Sequence, residues 1–491
     1  MISIRFEDRV SIGLQYVLDS LHACSPFGQE RVRRLRFYAP EERAALLTEL
    51  GNTARAAKEA QTQKSLYEKI MLVLCQLKDI RGSLSRLFEG VCLDHVELFE
   101  LKGFLLRIEE LLPLFDRMNE AVRIEGMAFS DPSEALKILD PEHTRSRGFY
   151  IPDGASEPLR AIRREKKQLE QRLYEAETVA EKDALKAERT RVCAEEESEE
   201  RAIRKAMCLA LLPYVSAMQA DADAAGRLDF LIQKALFGVR YGGVLPELTD
   251  TALELTDMIN PELCDLLKEK GRAFVPVSIA ADRGATVITG ANMGGKSVAM
   301  KTVALNALLM QAGFLVCAKR ARLPMFHCVK LLFDDLQSMQ SGLSGFGSEI
   351  VRFSEALDEA EQGYSLLLID ELARGTNPDE GARIVQAVTR YLNGANAISI
   401  LATHYDGVAE LARAHYQIIG LKDVDPDAIK AELSGAERDG VAVIARHMNY
   451  GLYRVEGRAD CPKDALNILR MLSLKPEILE RIERSYDTEK S

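Results

Sequence analysis

Two short stretches carry residue types suited to phosphate chemistry. The first, Gly290-Ala291-Asn292-Met293-Gly294-Gly295-Lys296-Ser297, fits the pattern G-x-x-x-x-G-K-[ST], with the β-rich run "ATVITG" before it and a helical run after it. Glycines in such a loop let backbone N–H groups wrap phosphate oxygens, and the following helix adds the partial positive charge of its N-terminus. In this arrangement Lys296 reaches the β- and γ-phosphates and the Ser297 hydroxyl binds Mg²⁺. The second stretch, "SLLLIDEL", is an apolar run that closes on Asp370-Glu371. A carboxylate at a strand tip facing the loop supports the Mg²⁺ shell, and the next residue orients or deprotonates an attacking water. The expected ligands are ATP and magnesium.

Positioning these residues requires a sheet. From about Gly271, the short β-rich runs "ATVITG", "VKLLFDD", "SLLLID" and "AISILAT" alternate with helical segments, the pattern of a largely parallel sheet covered on both faces. The preceding two hundred or so residues read as helical. "LFELKGFLLRIEELLPLFDRM" (Leu98–Met118) repeats its apolar residues at three- and four-residue spacing, with short breakers such as Ser25-Pro26 and Ala39-Pro40 elsewhere in the region. A polar, turn-rich segment (Ser130–Ser156) leads into Ile162–Lys205, where acids and bases are close to balanced. That composition predicts a solvated helical arm or antiparallel hairpin, and the Glu195–Glu200 run weighs against a general grip on nucleic acid. "KDALNILRML" and "KPEILERIERS" predict two closing helices. The expected fold is an α/β P-loop ATPase domain at 236–491, preceded by an all-α domain at 1–235 whose charged arm lies near 160–205.

Composition sets the outer bounds. A chain of 491 residues, 47% hydrophobic and 28% charged, has material for two to four packed domains. No apolar run approaches the ~20 residues a membrane helix needs, and "MISIRFEDRV" has no signal-peptide core, so a cytoplasmic protein without membrane association is expected. The nine cysteines are scattered, which reads as reduced thiols rather than a disulfide framework or zinc site. A net charge of −11 excludes a generally basic nucleic-acid coat, while leaving room for a local positive groove.

The motifs also carry a family resemblance. "TGANMGGKS" resembles the TGPNMGGKS phosphate loop of MutS proteins, with Ala291 in place of the family's Pro. "DELARGTNPDEG" (Asp370–Gly381) resembles the MutS acidic strand end and its R-G-T loop, and "LATHYDGVAEL" (Leu401–Leu411) the A-T-H-Y switch. "SGLSGFGSE" (Ser341–Glu349) is similar to the S-G-R-S-T-F-x-x-E signature, with Leu343 at the Arg position. The resemblance implies a MutS- and ABC-like ATPase fold behind a helical lever and core domain. It also implies His404 as a γ-phosphate sensor and Ser344 as a contact to the nucleotide of a partner subunit, in a homodimer or a heterodimer with a related chain. Phe274 becomes either an adenine-stacking aromatic or a core residue.

Departures from the family shape the functional expectation. The lever-like helices begin almost at Met1, leaving no sequence room for the mismatch-reading and connector domains of repair MutS. The longer C-terminal extension of that branch is expected to be absent, as is the Smr nuclease of the other bacterial branch, whose D-P-x-E-G-A pattern "NPDEGA" approaches. The shortened layout further resembles the MutS-like ATPase proposed as reactivase of B12-dependent lysine 5,6-aminomutase. Two expectations follow. One is an ATPase acting on DNA without mismatch specificity, touching phosphates through basic residues near Arg163–Lys167. The other is a motor of the same fold that remodels a protein client. Intact Lys296, Asp370, Glu371 and His404 speak against a scaffold without hydrolysis.

Overall fold

The computed structural model describes residues 2–145, 150–290, 295–333, 345–420, 447–456 and 477–482. The chain folds as two compact units. One comprises 1–21, 35–57 and 234–491 and is called the P-loop unit below; the other, comprising 22–34 and 58–233, is the helical unit.

The partition differs from the expected boundary at 235. Two N-terminal stretches that read as part of the helical domain pack within the P-loop unit. Residues 1–21 are held by the Asn260 amide, which donates to the Ile12 carbonyl (3.2 Å), and by the Tyr16 hydroxyl, which donates to Asp265 (2.6 Å). For 35–57 the reason lies in polar groups around the far end of the helix Lys296–Gln311. The Tyr38 N–H donates to the Gln311 carbonyl (2.7 Å), and the Gln311 side-chain amide donates to the Tyr38 carbonyl (3.0 Å). The Thr53 hydroxyl donates to the Gly313 carbonyl (3.0 Å), and the buried Lys234 ammonium pairs with Glu49. The Tyr38 and Thr53 bonds satisfy carbonyls at and just past a helix C-terminus, which otherwise lack partners.

The P-loop unit holds two sheets among its described residues. In chain order the strands are β1 (Glu247–Thr249), β2 (Leu253–Met258), β3 (Val277–Ala281), β4 (Gly284–Thr289), β5 (Arg320–Pro324), β6 (Cys328–Leu332), β7 (Ser365–Asp370), β8 (Ala397–Ala402), β9 (Ala414–Gly420) and β10 (Asn449–Arg454). The larger sheet runs β10-β9-β4-β8-β7-β6, parallel throughout except for the antiparallel edge strand β10. All six residues of β4 and of β8 are buried, which is why these runs are mainly apolar, with only the small hydroxyls of Thr286, Thr289 and Ser399, rather than alternating. The four β-runs read from the sequence all belong to this sheet. The smaller sheet, β1-β5-β2-β3, is mixed and was not foreseen. Arg322 on β5 is cross-strand neighbour to both Glu247 and Glu254 and forms ion pairs with them at 3.1 and 2.8 Å.

The helical unit contains the long helix His95–Val122, opened by reciprocal bonds between Asp94 and Glu97. Leu98, Leu101, Leu105, Ile108 and Leu111 bury one face. The charged arm is an antiparallel hairpin of helices Glu157–Glu175 and Val179–Leu211 around a small core of Leu169, Ala176, Leu185 and Val192. Its charges pair across the hairpin. The Arg163 side chain, 12% exposed, contacts Glu196 (3.0 Å), Glu200 (2.8 Å) and Asp153 (2.6 Å), and Lys166 contacts Glu196 (2.5 Å). Within the basic stretch Arg163–Lys167 this pairing divides the cations into two groups. Arg163 and Lys166 are spent on the acidic run of the opposing helix, while Arg164 and Lys167 remain exposed.

Candidate nucleotide site

The site is built at the C-terminal ends of three adjacent parallel strands. β8 lies between β4 and β7, and Ile288 and Asp370 both pair with Ala402. The bonding continues past the strand ends: the Thr403 N–H donates to the Ile288 carbonyl (3.1 Å) and the Glu371 N–H to the Ala402 carbonyl (3.0 Å). Gly290, Asp370-Glu371 and His404 thus share one edge of the sheet, where ligands of open α/β sheets bind.

Gly290 (φ 142°) and Gly295 (φ 89°) flank the loop in backbone conformations that side chains rarely adopt. A Cβ on Gly295 would lie 2.9 Å from the Tyr450 ring. Gly295 caps the helix Lys296–Gln311, in which thirteen residues are buried, so the helix is fixed on all sides. Ala291, Asn292, Met293, Gly294 and Ser344 lie outside the described residues.

Lys296 is 4% exposed. Its Nζ donates to the Gly290 carbonyl (2.7 Å) and stands 3.5 Å from Glu371 Oε1. Glu371 is also near Arg374 (3.6 Å) and His404 Nδ1 (3.9 Å). Glu371 and Ala373 both adopt positive φ, +50° and +65°. Burial, together with the neighbouring Glu371 charge, pushes the Asp370 carboxyl above its usual range, against a hydrogen bond from Ser297 and the charges of Lys296 and Lys301. Asp370 Oδ1 is buried with no hydrogen-bond partner among the described residues. An unsatisfied carboxylate oxygen beside a serine hydroxyl is a hard-oxygen donor set that fits Mg²⁺.

Beside the loop, Phe274, Tyr450, Leu263, Leu266, Val298 and Gly295 line a largely apolar cavity of about 400 Å³. Phe274 is only partly buried there. Sequence reasoning missed Tyr450, which reaches the loop from the edge strand β10. It also missed His415 on β9, whose Nε2 lies 2.7 Å from the Thr289 hydroxyl in a buried pair just below the loop. Burial pulls the His415 pKa down, favouring the neutral ring.

The sheet order, the glycine-flanked loop and the buried lysine define a P-loop domain. Residues 286–468 match the MutS domain V family. Over 223 residues the chain is 34% identical to Endonuclease MutS2 of Streptococcus agalactiae (serotype Ia), an alignment covering 45% of this chain and 28% of the relative. It is 35% identical over 192 residues to Endonuclease MutS2 of Agathobacter rectalis, covering 39% and 24%. The chain thus aligns with only about a quarter of the length of these relatives. It carries the ATPase domain of the MutS family. Among the described residues no helix is long and apolar enough to cross a membrane.

The strained protonation of Asp370 has a measurable consequence. A raised folded-state pKa stabilises the fold below the unfolded carboxyl value of about 3.9, and that contribution is lost as pH rises through the folded pKa. Ionising the Asp370 carboxyl in the nucleotide-free protein therefore costs stability. Asp370→Asn is expected to raise the melting temperature of the nucleotide-free protein by about a degree or more. The same variant should lose the stabilisation that Mg²⁺-ATP gives the unaltered chain. Thermal scans with and without Mg²⁺-ATP test both halves, and a variant still stabilised by Mg²⁺-ATP as strongly as the parent would remove Asp370 from the metal shell.

Proposed function

We propose that the chain binds and hydrolyses Mg²⁺-ATP and uses the cycle to move its helical unit on DNA, without mismatch specificity, as a cytoplasmic dimer. The observation that carries the ATPase reading is the convergence of Lys296, Asp370, Glu371 and His404 on one sheet edge. Lys296 holds the β- and γ-phosphates, exchanging its contacts with Gly290 and Glu371 for phosphate oxygens. Ser297 and Asp370 hold Mg²⁺, which when bound neutralises charge on the transferring phosphoryl group. Glu371 orients and deprotonates the attacking water, and His404 senses the γ-phosphate. Phe274 and Tyr450 sandwich the base in the apolar cavity. Ser344 completes the site of a partner subunit, whether a second copy or a related chain.

The relatives of the phosphate-loop domain are endonucleases by name, which supports DNA as the client. The internally paired arm favours a second reading, a protein client. Tyr174 (91% exposed) and Val179 (76% exposed) flank the hairpin tip, where apolar side chains suit a protein surface better than phosphates. The relatives lend no support to a lysine 5,6-aminomutase client.

The test is the ATPase rate with and without duplex DNA across salt, paired with competition binding. Binding should be mainly electrostatic and fall by orders of magnitude between ~50 and ~200 mM salt if about six phosphates are contacted. A mismatched duplex should compete no better than a paired one. A tenfold preference for the mismatch, about 1.4 kcal/mol, would overturn the reading. Intact ATPase with no binding to duplex, branched or single-stranded DNA would establish the protein-client reading instead.

A further inference from the structure

Ala373 is fully buried and holds φ at +65°, two residues after Glu371 at +50°. Left-handed backbone at a non-glycine residue costs roughly 1–2 kcal/mol and persists only where its surroundings enforce it. Both polar groups of this residue are gripped. Its N–H donates to Glu349 Oε1 (3.0 Å), and its carbonyl accepts from the Tyr405 hydroxyl (2.9 Å) and, more weakly, from the Thr376 N–H (3.4 Å). Glu349 stands on the helix Gly345–Ala360, which begins directly after Ser344, and Tyr405 follows His404. The Tyr405 hydroxyl is itself confined, since a Cβ on Gly381 would collide with it. Two separate segments therefore meet on the backbone of one residue.

We infer that Glu349 and Tyr405 are positioning residues for Glu371: by clamping the Ala373 peptide they hold the strand-to-loop turn in the left-handed form that places the Glu371 carboxylate beside Lys296. The inference rests on the reading of Glu371 as the group that activates water. Glu349 connects the signature segment to hydrolysis within the same chain. Tyr405 does so for the switch that carries His404. Neither needs to touch nucleotide.

The experiment compares kcat and the affinity for a fluorescent ATP analogue in Glu349→Ala, Glu349→Gln, Tyr405→Phe and the double variant Glu349→Ala/Ala373→Gly, alongside Glu371→Gln. Glu349→Ala should lower kcat by about tenfold with analogue affinity unchanged. Glu349→Gln should retain most turnover, because its amide oxygen accepts the same N–H. Adding Ala373→Gly should recover part of the loss, because glycine adopts the left-handed form without a clamp. Tyr405→Phe, which keeps the packed ring, should show the same split and serves if Glu349→Ala does not fold. Unchanged kcat in Glu349→Ala and Tyr405→Phe while Glu371→Gln is slow would overturn the clamp and leave the ATPase reading intact. Equal losses in Glu349→Ala and Glu349→Gln would also overturn it, pointing to charge rather than the hydrogen bond. Normal turnover in Glu371→Gln would overturn the underlying reading instead.

Discussion

Lys296→Ala is expected to abolish ATP binding, weakening affinity by about a hundredfold or more. Two effects add. The variant lacks the ammonium directed at the β- and γ-phosphates, an interaction with charge on both sides. It also leaves Glu371, 12% exposed and 3.5 Å from the missing ammonium, as a negative charge facing an incoming polyanion. The measurement is equilibrium titration with a fluorescent ATP analogue in the presence of Mg²⁺. Affinity within a few-fold of the parent would place the nucleotide elsewhere.

Glu371→Gln is expected to separate binding from hydrolysis. Gln keeps the size of the side chain and an acceptor oxygen but cannot take a proton, so turnover should fall by about a hundredfold or more. Affinity should hold or rise, since the variant removes a negative charge close to the phosphates. Steady-state ATPase rates and analogue titration together check this, and an unchanged rate would strip Glu371 of its role with water.

The parts of this site that were legible in the sequence share a physical cause. β4, β7 and β8 are covered on both faces, so each reads as a mainly apolar run without strict alternation, and the phosphate-loop pattern sits just past the end of one of them. Tyr450 gave no such signal. It lies far downstream of the loop on the partly exposed edge strand "NYGLYR", and only the β9–β10 pairing brings it to the cavity. The smaller sheet was hidden for a related reason. β1 has three residues, and β2 carries the positive-φ residue Asp257 next to a register shift, so neither shows a clean two-residue alternation. The arm's composition revealed a balanced hairpin but not which cations stay accessible, because Arg163 meets Glu196 and Glu200 only once the two helices are in register. Amphipathic helices near the N-terminus likewise declare that they have an apolar face without saying which core receives it.

That last point bears on the order in which the molecule is made. Residues 1–21 and 35–57 leave the ribosome before residues 58–233, yet their partners, Asn260 and Asp265 for the first stretch and Lys234, Gln311 and Gly313 for the second, are synthesised only afterwards. The early segments must wait, with amphipathic faces uncovered, while the intervening helices form a complete unit of their own. Closing so long a gap adds little entropy cost, since each doubling of the loop costs only about 0.6 kcal/mol. The delay is a matter of time rather than equilibrium: the nascent chain carries exposed apolar helices until the phosphate-loop helix is translated, which makes this interval the one in which a chaperone matters most.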